Sequence, residues 1–203
     1  MLPFDTDHAV RLIKESDPCM ADLIGHVGAF ELTLTREWSP FQALVRSVIF
    51  QQISTQAGQA IQSRLFELFE GPPEPDTLLQ TPIGTLRKVG LSKTKEATVR
   101  SLATSALCGE LPNRDEMLIL TDQEIIDTLS RHKGIGIWTA QMFLIFNLGR
   151  PDVWPTTDLG IRRGYKITYH LDELPTPSEL ESLGDCWKPF RSVASWYLWR
   201  AND

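Results

Sequence analysis

Two features of the chain have residue types and spacing that could carry chemistry. Lys133-Gly134-Ile135-Gly136-Ile137-Trp138-Thr139-Ala140 reads as a Gly-x-Gly hairpin opening into an apolar helix. Glycine permits positive φ and close backbone approach, and a new helix offers amides and the positive end of its dipole, so such a hairpin can meet a phosphate. Asp158 follows 22 residues after Gly136, beyond one helix and a Pro-rich loop. A carboxylate returning at that interval can stand beside whatever the hairpin holds, and the pairing points to an enzyme acting on nucleic acid.

The elements that must position these residues are helical nearly throughout. Asp5–Lys14 and Asp17–Val27 read as short amphipathic helices. Ser39-Pro40 is a cap followed by proline at the first helical position, opening a helix to Phe50. Ser54 looks like the cap of a helix reaching Phe69, and Gly71-Pro72-Pro73-Glu74-Pro75 reads as the loop that ends it. Thr81-Pro82 begins a short helix ending at Val89-Gly90, and Ser92 caps Lys93–Cys108. Thr121-Asp122-Gln123-Glu124 is a capping box opening a helix to Ser130. The hairpin and a helix from Ile137 to Leu148 follow. Asp158 caps a helix to about Tyr169, Pro177 starts another, and Lys188–Arg200 is the last. The β-looking run Phe30–Thr35 is too short and solitary for a sheet.

At 203 residues, 42% hydrophobic and 23% charged, the chain has the composition of a globular protein with a sizeable core. The longest apolar runs are interrupted, as Ala43–Ile53 is by Arg46 and Gln51, so no membrane span is expected. The first residues lack a basic and an apolar signal region. Cys19, Cys108 and Cys186 are odd in number and far apart, which fits a reducing compartment; a cytoplasmic or nucleoid-associated location, nuclear in a eukaryote, is expected. A net charge of −6 counts against a generic DNA binder. Local basicity remains in Arg131-His132-Lys133, in Arg162-Arg163 with Lys166, and in Arg87-Lys88 with Lys93 and Lys95. The first two flank the hairpin and Asp158 and are the better candidates for phosphate contact; such clusters are otherwise solvated helix faces.

Leu129–Ala140 together with Asp158 resembles the helix-hairpin-helix DNA glycosylases, whose signature is a hairpin, a Gly/Pro-rich loop and a catalytic aspartate. Phe50-Gln51-Gln52-Ile53-Ser54 is similar to that family's Gln-Gln-x-Ser segment. Trp187-Lys188-Pro189-Phe190-Arg191-Ser192 is similar to the Trp-Lys-Pro-x-Arg segment of its 3-methyladenine branch. The resemblance covers roughly residues 39–200 and implies an all-α, two-lobed fold with the active site in the cleft between lobes. A single glycosylase domain over 1–203 is expected, with one lobe near 39–150 and the other from 1–38 plus 151–203. Some bacterial relatives carry an N-terminal β-domain that the roughly 38 residues before this region are too few to form. Lys133 stands where many relatives have proline. The four-cysteine iron–sulfur segment of another branch is absent from the sequence, so neither a cluster nor a redox cofactor is expected.

Glycosidic cleavage at a nucleoside develops positive charge on the sugar, which a nearby carboxylate can stabilise while orienting water. Asp158 is the candidate, and a helix start favours negative charge there. In bifunctional relatives a lysine two residues after the second hairpin glycine forms a Schiff base; here that position is Trp138, so a monofunctional enzyme leaving an abasic site is expected. The resemblance places Trp138 and Trp199 in the base pocket, where a π-face attracts a cationic alkylated purine. Met142 stands there where some relatives have an aromatic ring. Flipping the nucleotide requires a wedge; Gln52 is the first candidate and Ser54 the second. Gly134, Gly136, Lys133 and Thr139 are expected against the DNA backbone. The carbonyls of His132 and Ile135 are expected to hold a monovalent cation, Na+ or K+, as the resemblance implies.

The partner implied is double-stranded DNA containing a damaged base, bound by a monomer. Excision of 3-methyladenine and 7-methylguanine is the leading expectation. A sister activity on uracil, hypoxanthine or ethenoadenine would use the same apparatus. A catalytically silent damage-binding module is the alternative of a different class, against which the presence of Asp158 speaks.

Overall fold

The computed structural model describes residues 2–203, Thr55 by its backbone alone. In chain order the helices are α1 (Thr6–Ser16), α2 (Pro18–Val27), α3 (Pro40–Phe50), α4 (Thr55–Phe69), α5 (Pro75–Gln80), α6 (Thr85–Lys88), α7 (Lys93–Leu107), α8 (Arg114–Ile119), α9 (Asp122–Ser130), α10 (Ile137–Phe143), α11 (Leu159–Thr168), α12 (Pro177–Leu183) and α13 (Arg191–Arg200). A π-helical turn, Leu144–Leu148, continues α10, and a 3₁₀ turn, Asp185–Trp187, precedes α13. No strand occurs among the described residues.

The chain divides into two compact units, one from Thr35 to Phe143 and one formed by the residues up to Leu34 together with Leu144–Asp203. In the middle unit, α7 packs on α3 and α5, and α10 packs on α3 and α9. Leu44, Val48, Leu65, Leu78, Val99, Leu102 and Leu129 are fully buried there. In the terminal unit, α11 lies on α13, and α2 packs against both α1 and α13 around Ile13, Met20, Ile161, Trp187, Tyr197 and Leu198.

Helix starts follow their capping residues. Ser39, Ser54, Ser92, Thr121 and Asp158 each accept a hydrogen bond from a backbone N–H of the first turn, and Ser39 and Thr121 complete capping boxes with Gln42 and Glu124. Two helices were not expected from sequence. Pro75 is not part of a terminating loop but the first residue of α5, and α8 is opened by an Asn113–Glu116 capping box. The Phe30–Thr35 run forms no strand; Phe30 and Leu32 instead cover the terminal unit's core, with Phe30 edge-on to Trp196 at 5.0 Å.

The approach of α11 to α13 depends on Gly164. A Cβ built there would run into the carbonyl of Leu198, so a larger residue would push the two helices apart.

Candidate active site

In the middle unit the hairpin is a short turn between α9 and α10. The Ile135 amide donates to the His132 carbonyl at 2.9 Å, and Gly134 takes φ +92°. The two glycines differ in their reason for being glycine. Gly134 needs the left-handed conformation, and a Cβ on it would also overlap the Thr98 side chain of α7. Gly136 is not in the positive-φ region, and a Cβ there would meet nothing within 4 Å. Neither torsion nor internal packing explains its lack of a side chain, which leaves its exposed backbone open to an approaching ligand.

The turn after α3 is tied to this hairpin. Gln51 Nε2 donates to the Gly134 carbonyl at 2.9 Å and to Thr139 Oγ1 at 3.1 Å. Lys95 Nζ donates to the Ile49 and Gln51 carbonyls, each at 2.8 Å, closing the end of α3, and partial burial lowers its pKa. Gln52 then stands exposed at the tip with φ +55°, a left-handed conformation that costs a non-glycine residue free energy. Ser54 is exposed and caps α4 by accepting the Ala57 amide at 3.2 Å.

In the terminal unit Asp158 is the N-cap of α11. Its Oδ1 accepts the Ile161 amide and the Trp199 indole N–H, both at 2.9 Å. Trp199 is stacked on Phe146, centroids 5.6 Å apart at 26°. The loop leading to Asp158 is anchored by the Trp-Lys-Pro-x-Arg-Ser segment. Arg191 binds Asp152 through two nitrogens at 2.7 and 2.9 Å. Ser192 Oγ donates to the Arg150 carbonyl at 2.7 Å and accepts the Val153 amide at 2.9 Å. Trp154 donates to the Leu180 carbonyl at 2.8 Å and meets Trp187 edge-on at 5.2 Å. Trp187, wholly buried, donates to Asp17 at 3.1 Å. A charge-assisted fork, a shared hydroxyl and two interlocked indoles therefore fix the carboxylate's approach path.

A helix-start carboxylate held by an amide and an indole, and a glycine hairpin with open backbone, are the parts that base-excision chemistry requires. Comparison with known proteins agrees. Residues 45–189 match the family model described as the HhH-GPD superfamily base excision DNA repair protein. The chain belongs to the HhH-GPD superfamily. It is 34% identical over 165 residues to DNA-3-methyladenine glycosylase 1 of Schizosaccharomyces pombe, covering 80% of this chain and 72% of that one. It is 30% identical to the same organism's alkylbase DNA glycosidase-like protein mag2, covering 97% and 93%. Among solved structures, S. pombe 3-methyladenine DNA glycosylase (Mag1) in complex with abasic DNA superposes with a TM-score of 0.91 at 32% identity, covering 95% of each chain.

Within this HhH-GPD chain the expected site residues are distributed unevenly. Lys133, Gly134 and Gly136 are exposed, Trp138 is half-buried, and Met142 is buried at 8% exposure in the middle unit. Asp158 and Trp199 meet in the terminal unit, where Asp158 is half-buried. Thr139 is 2% exposed, and its hydroxyl accepts a hydrogen bond from Gln51. In the Arg162 cluster, Arg162 donates to the Pro175 carbonyl and Lys166 to the Asp172 carbonyl, each at 2.7 Å, while Arg163 is exposed. His132 is half-buried, and desolvation lowers its pKa against a smaller opposing pull from Glu110. Its carbonyl accepts the Ile135 amide. Sequence reasoning missed Phe146, Asp152 and the positioning roles of Arg191 and Ser192. An aromatic four residues after Met142 was the available signal for Phe146; the others had none short of the fold.

Proposed function

We propose that this HhH-GPD protein is a monofunctional DNA glycosylase that hydrolyses the N-glycosidic bond of alkylated purines, of the 3-methyladenine and 7-methylguanine type, in double-stranded DNA and leaves an abasic site. The observation that carries the reading is Asp158, whose Oδ1 is held by the Ile161 amide and the Trp199 indole at 2.9 Å each. A carboxylate fixed in advance costs no reorganisation when positive charge develops on the sugar, and it orients the attacking water. The leaving base is already cationic, so a strong general acid is not required.

In this reading Trp138, Trp199 and Met142 contact the damaged base, and the indole faces favour a cationic ring over a neutral one. The hairpin backbone at Gly134 and Gly136, with Lys133, binds phosphate. Gln52 fills the gap left by the flipped nucleotide, with Ser54 beside it. A monovalent cation on the His132 and Ile135 carbonyls would add a positive charge at the hairpin. Trp138 offers no amine for a Schiff base, which restricts the enzyme to water as nucleophile. The protein acts as a monomer in the compartment that holds the cell's DNA.

The reading is tested by incubating the protein with alkylated, uracil-, hypoxanthine- and ethenoadenine-containing duplexes and identifying the released base by mass. Release of methylated purines, alkali-sensitive abasic strands and no borohydride-trapped adduct are expected. Release of uracil or hypoxanthine alone would reassign the substrate, a trapped adduct would reject the monofunctional mechanism, and binding without release would identify a silent damage-binding module.

A further inference from the structure

The third basic cluster, set aside at the sequence level as a solvated helix face, has a different place in the fold. Its one arginine, Arg87, and one of its lysines, Lys95, are engaged by other groups of the middle unit. Arg87 and Arg100 pair with the buried Glu96 at 3.2 and 3.5 Å, and Lys95 closes the end of α3. Lys93 instead lines a cavity of about 280 Å³ with Thr94, Ala97, Thr98 and Ser101 of α7 and Lys133 of the hairpin. The hairpin backbone at Gly134 lies directly on Thr98, so the cradle and the hairpin are one continuous surface of the middle unit.

We infer that the cavity lined by Lys93, Thr94, Thr98, Ser101 and Lys133 is a further phosphate-binding site, taking a DNA backbone phosphate next to the one held by the hairpin. Two lysines from separate elements and three hydroxyl-bearing residues line one space, Thr98 as its buried floor, and none of the six lining residues is acidic. That donor set matches a phosphodiester, whose charge the lysines neutralise and whose non-bridging oxygens accept from hydroxyls. Lys93, Thr94, Ser101 and Lys133 are exposed, so the site is accessible to a bound strand. In a chain of net charge −6 such a local concentration of donors is where duplex affinity must be gathered. The inference rests on the DNA-binding part of the proposed function, but not on catalysis.

The test is a titration of undamaged and abasic duplexes over a range of salt concentrations, with Lys93→Ala, Lys133→Ala, their double variant, Ser101→Glu and, as a charge control, Lys88→Ala. Each cradle lysine removed should flatten the slope of log K against log salt by about 0.9, and the double variant by about 1.8. Ser101→Glu should weaken binding of both duplexes equally, Lys93→Arg should restore the slope, and Lys88→Ala should leave it unchanged. An unaltered slope in Lys93→Ala, or an equal loss in Lys88→Ala, overturns the cradle while leaving DNA binding intact. Binding of inorganic phosphate that Lys93→Ala abolishes, with the DNA slope unaltered, would assign the cradle to a free anion and equally overturn it. A wild-type protein that binds neither duplex would fail the proposed function first.

Discussion

Gly160→Ala perturbs the Asp158–Trp199 hydrogen bond while leaving both partner residues in place. Gly160 is the second residue of α11, and a Cβ built on it lies 2.9 Å from Trp199 Cδ1, 3.0 Å from Asp158 Oδ1 and 3.3 Å from Trp199 Nε1. Restoring ordinary van der Waals separation moves the indole by roughly 0.7 Å. The 2.9 Å hydrogen bond would then lengthen beyond hydrogen-bonding range. A hydrogen bond to a carboxylate contributes about 1.5–3 kcal/mol. If the reaction needs the carboxylate where Trp199 holds it, the single-turnover rate of base release falls by about 10- to 100-fold. Stability changes less, because alanine in a helix gains about 1 kcal/mol over glycine and offsets part of the loss. Base release should be measured from methylated duplex at saturating protein, with duplex binding and thermal melting recorded separately. Trp199→Phe should also slow release, and adding Gly160→Ala to it should cost little more, since both remove the same bond. A Gly160→Ala rate within about twofold of wild type, or fully additive losses, would refute this reasoning.

Three further outcomes are expected. Gly134→Ala, which meets both φ +92° and the Thr98 side chain, should destabilise the protein by at least about 1–2 kcal/mol in urea unfolding and weaken duplex binding; Thr98→Ala should relieve only the steric part. Glu96→Gln should cost about 2–3 kcal/mol, short of the full penalty for breaking a buried pair because Arg87 is half exposed, and calorimetry with Arg87→Ala as a second arm checks it. Burial and the neighbouring Asp17 push the Tyr165 phenol from 10.0 up to about 12, and burial with the hydrogen bond to Asp17 raises that of Tyr169 further. Raised phenol values in the folded state mean their stabilisation is complete below about pH 10 and is lost as pH rises from there through about 12. Urea midpoints should therefore fall steeply above about pH 10, and Tyr165→Phe should flatten the fall; a midpoint independent of pH would contradict the burial of these rings.

What the sequence disclosed was what depends on neighbours a few residues apart. Ser39, Ser54, Ser92, Thr121 and Asp158 cap helices because a side-chain oxygen reaches an amide within the next turn, a relation visible in any window. α5 and α8 escaped notice because six residues are too few to display a helical period, and Pro75 was read as a terminator although proline is equally at home at a helix start. The candidate carboxylate was legible, but its indole partner, 41 residues away, was not paired with it. The same distance problem hid the Arg191–Asp152 fork, which joins positions 39 apart. It also concealed the surroundings of the basic clusters. Sequence proximity favoured Arg162 and Lys166, whose charges hold carbonyls of a nearby loop, over Lys93, which the fold carries to the hairpin.

Asp158 is proposed to stabilise the positive charge that develops on the sugar and to orient the water that hydrolyses the glycosidic bond. Single-turnover release of methylated purine by Asp158→Asn, alongside its affinity for an abasic duplex, tests it most directly. Release should be abolished while binding survives; undiminished release by a variant that still binds DNA would contradict the role assigned to Asp158.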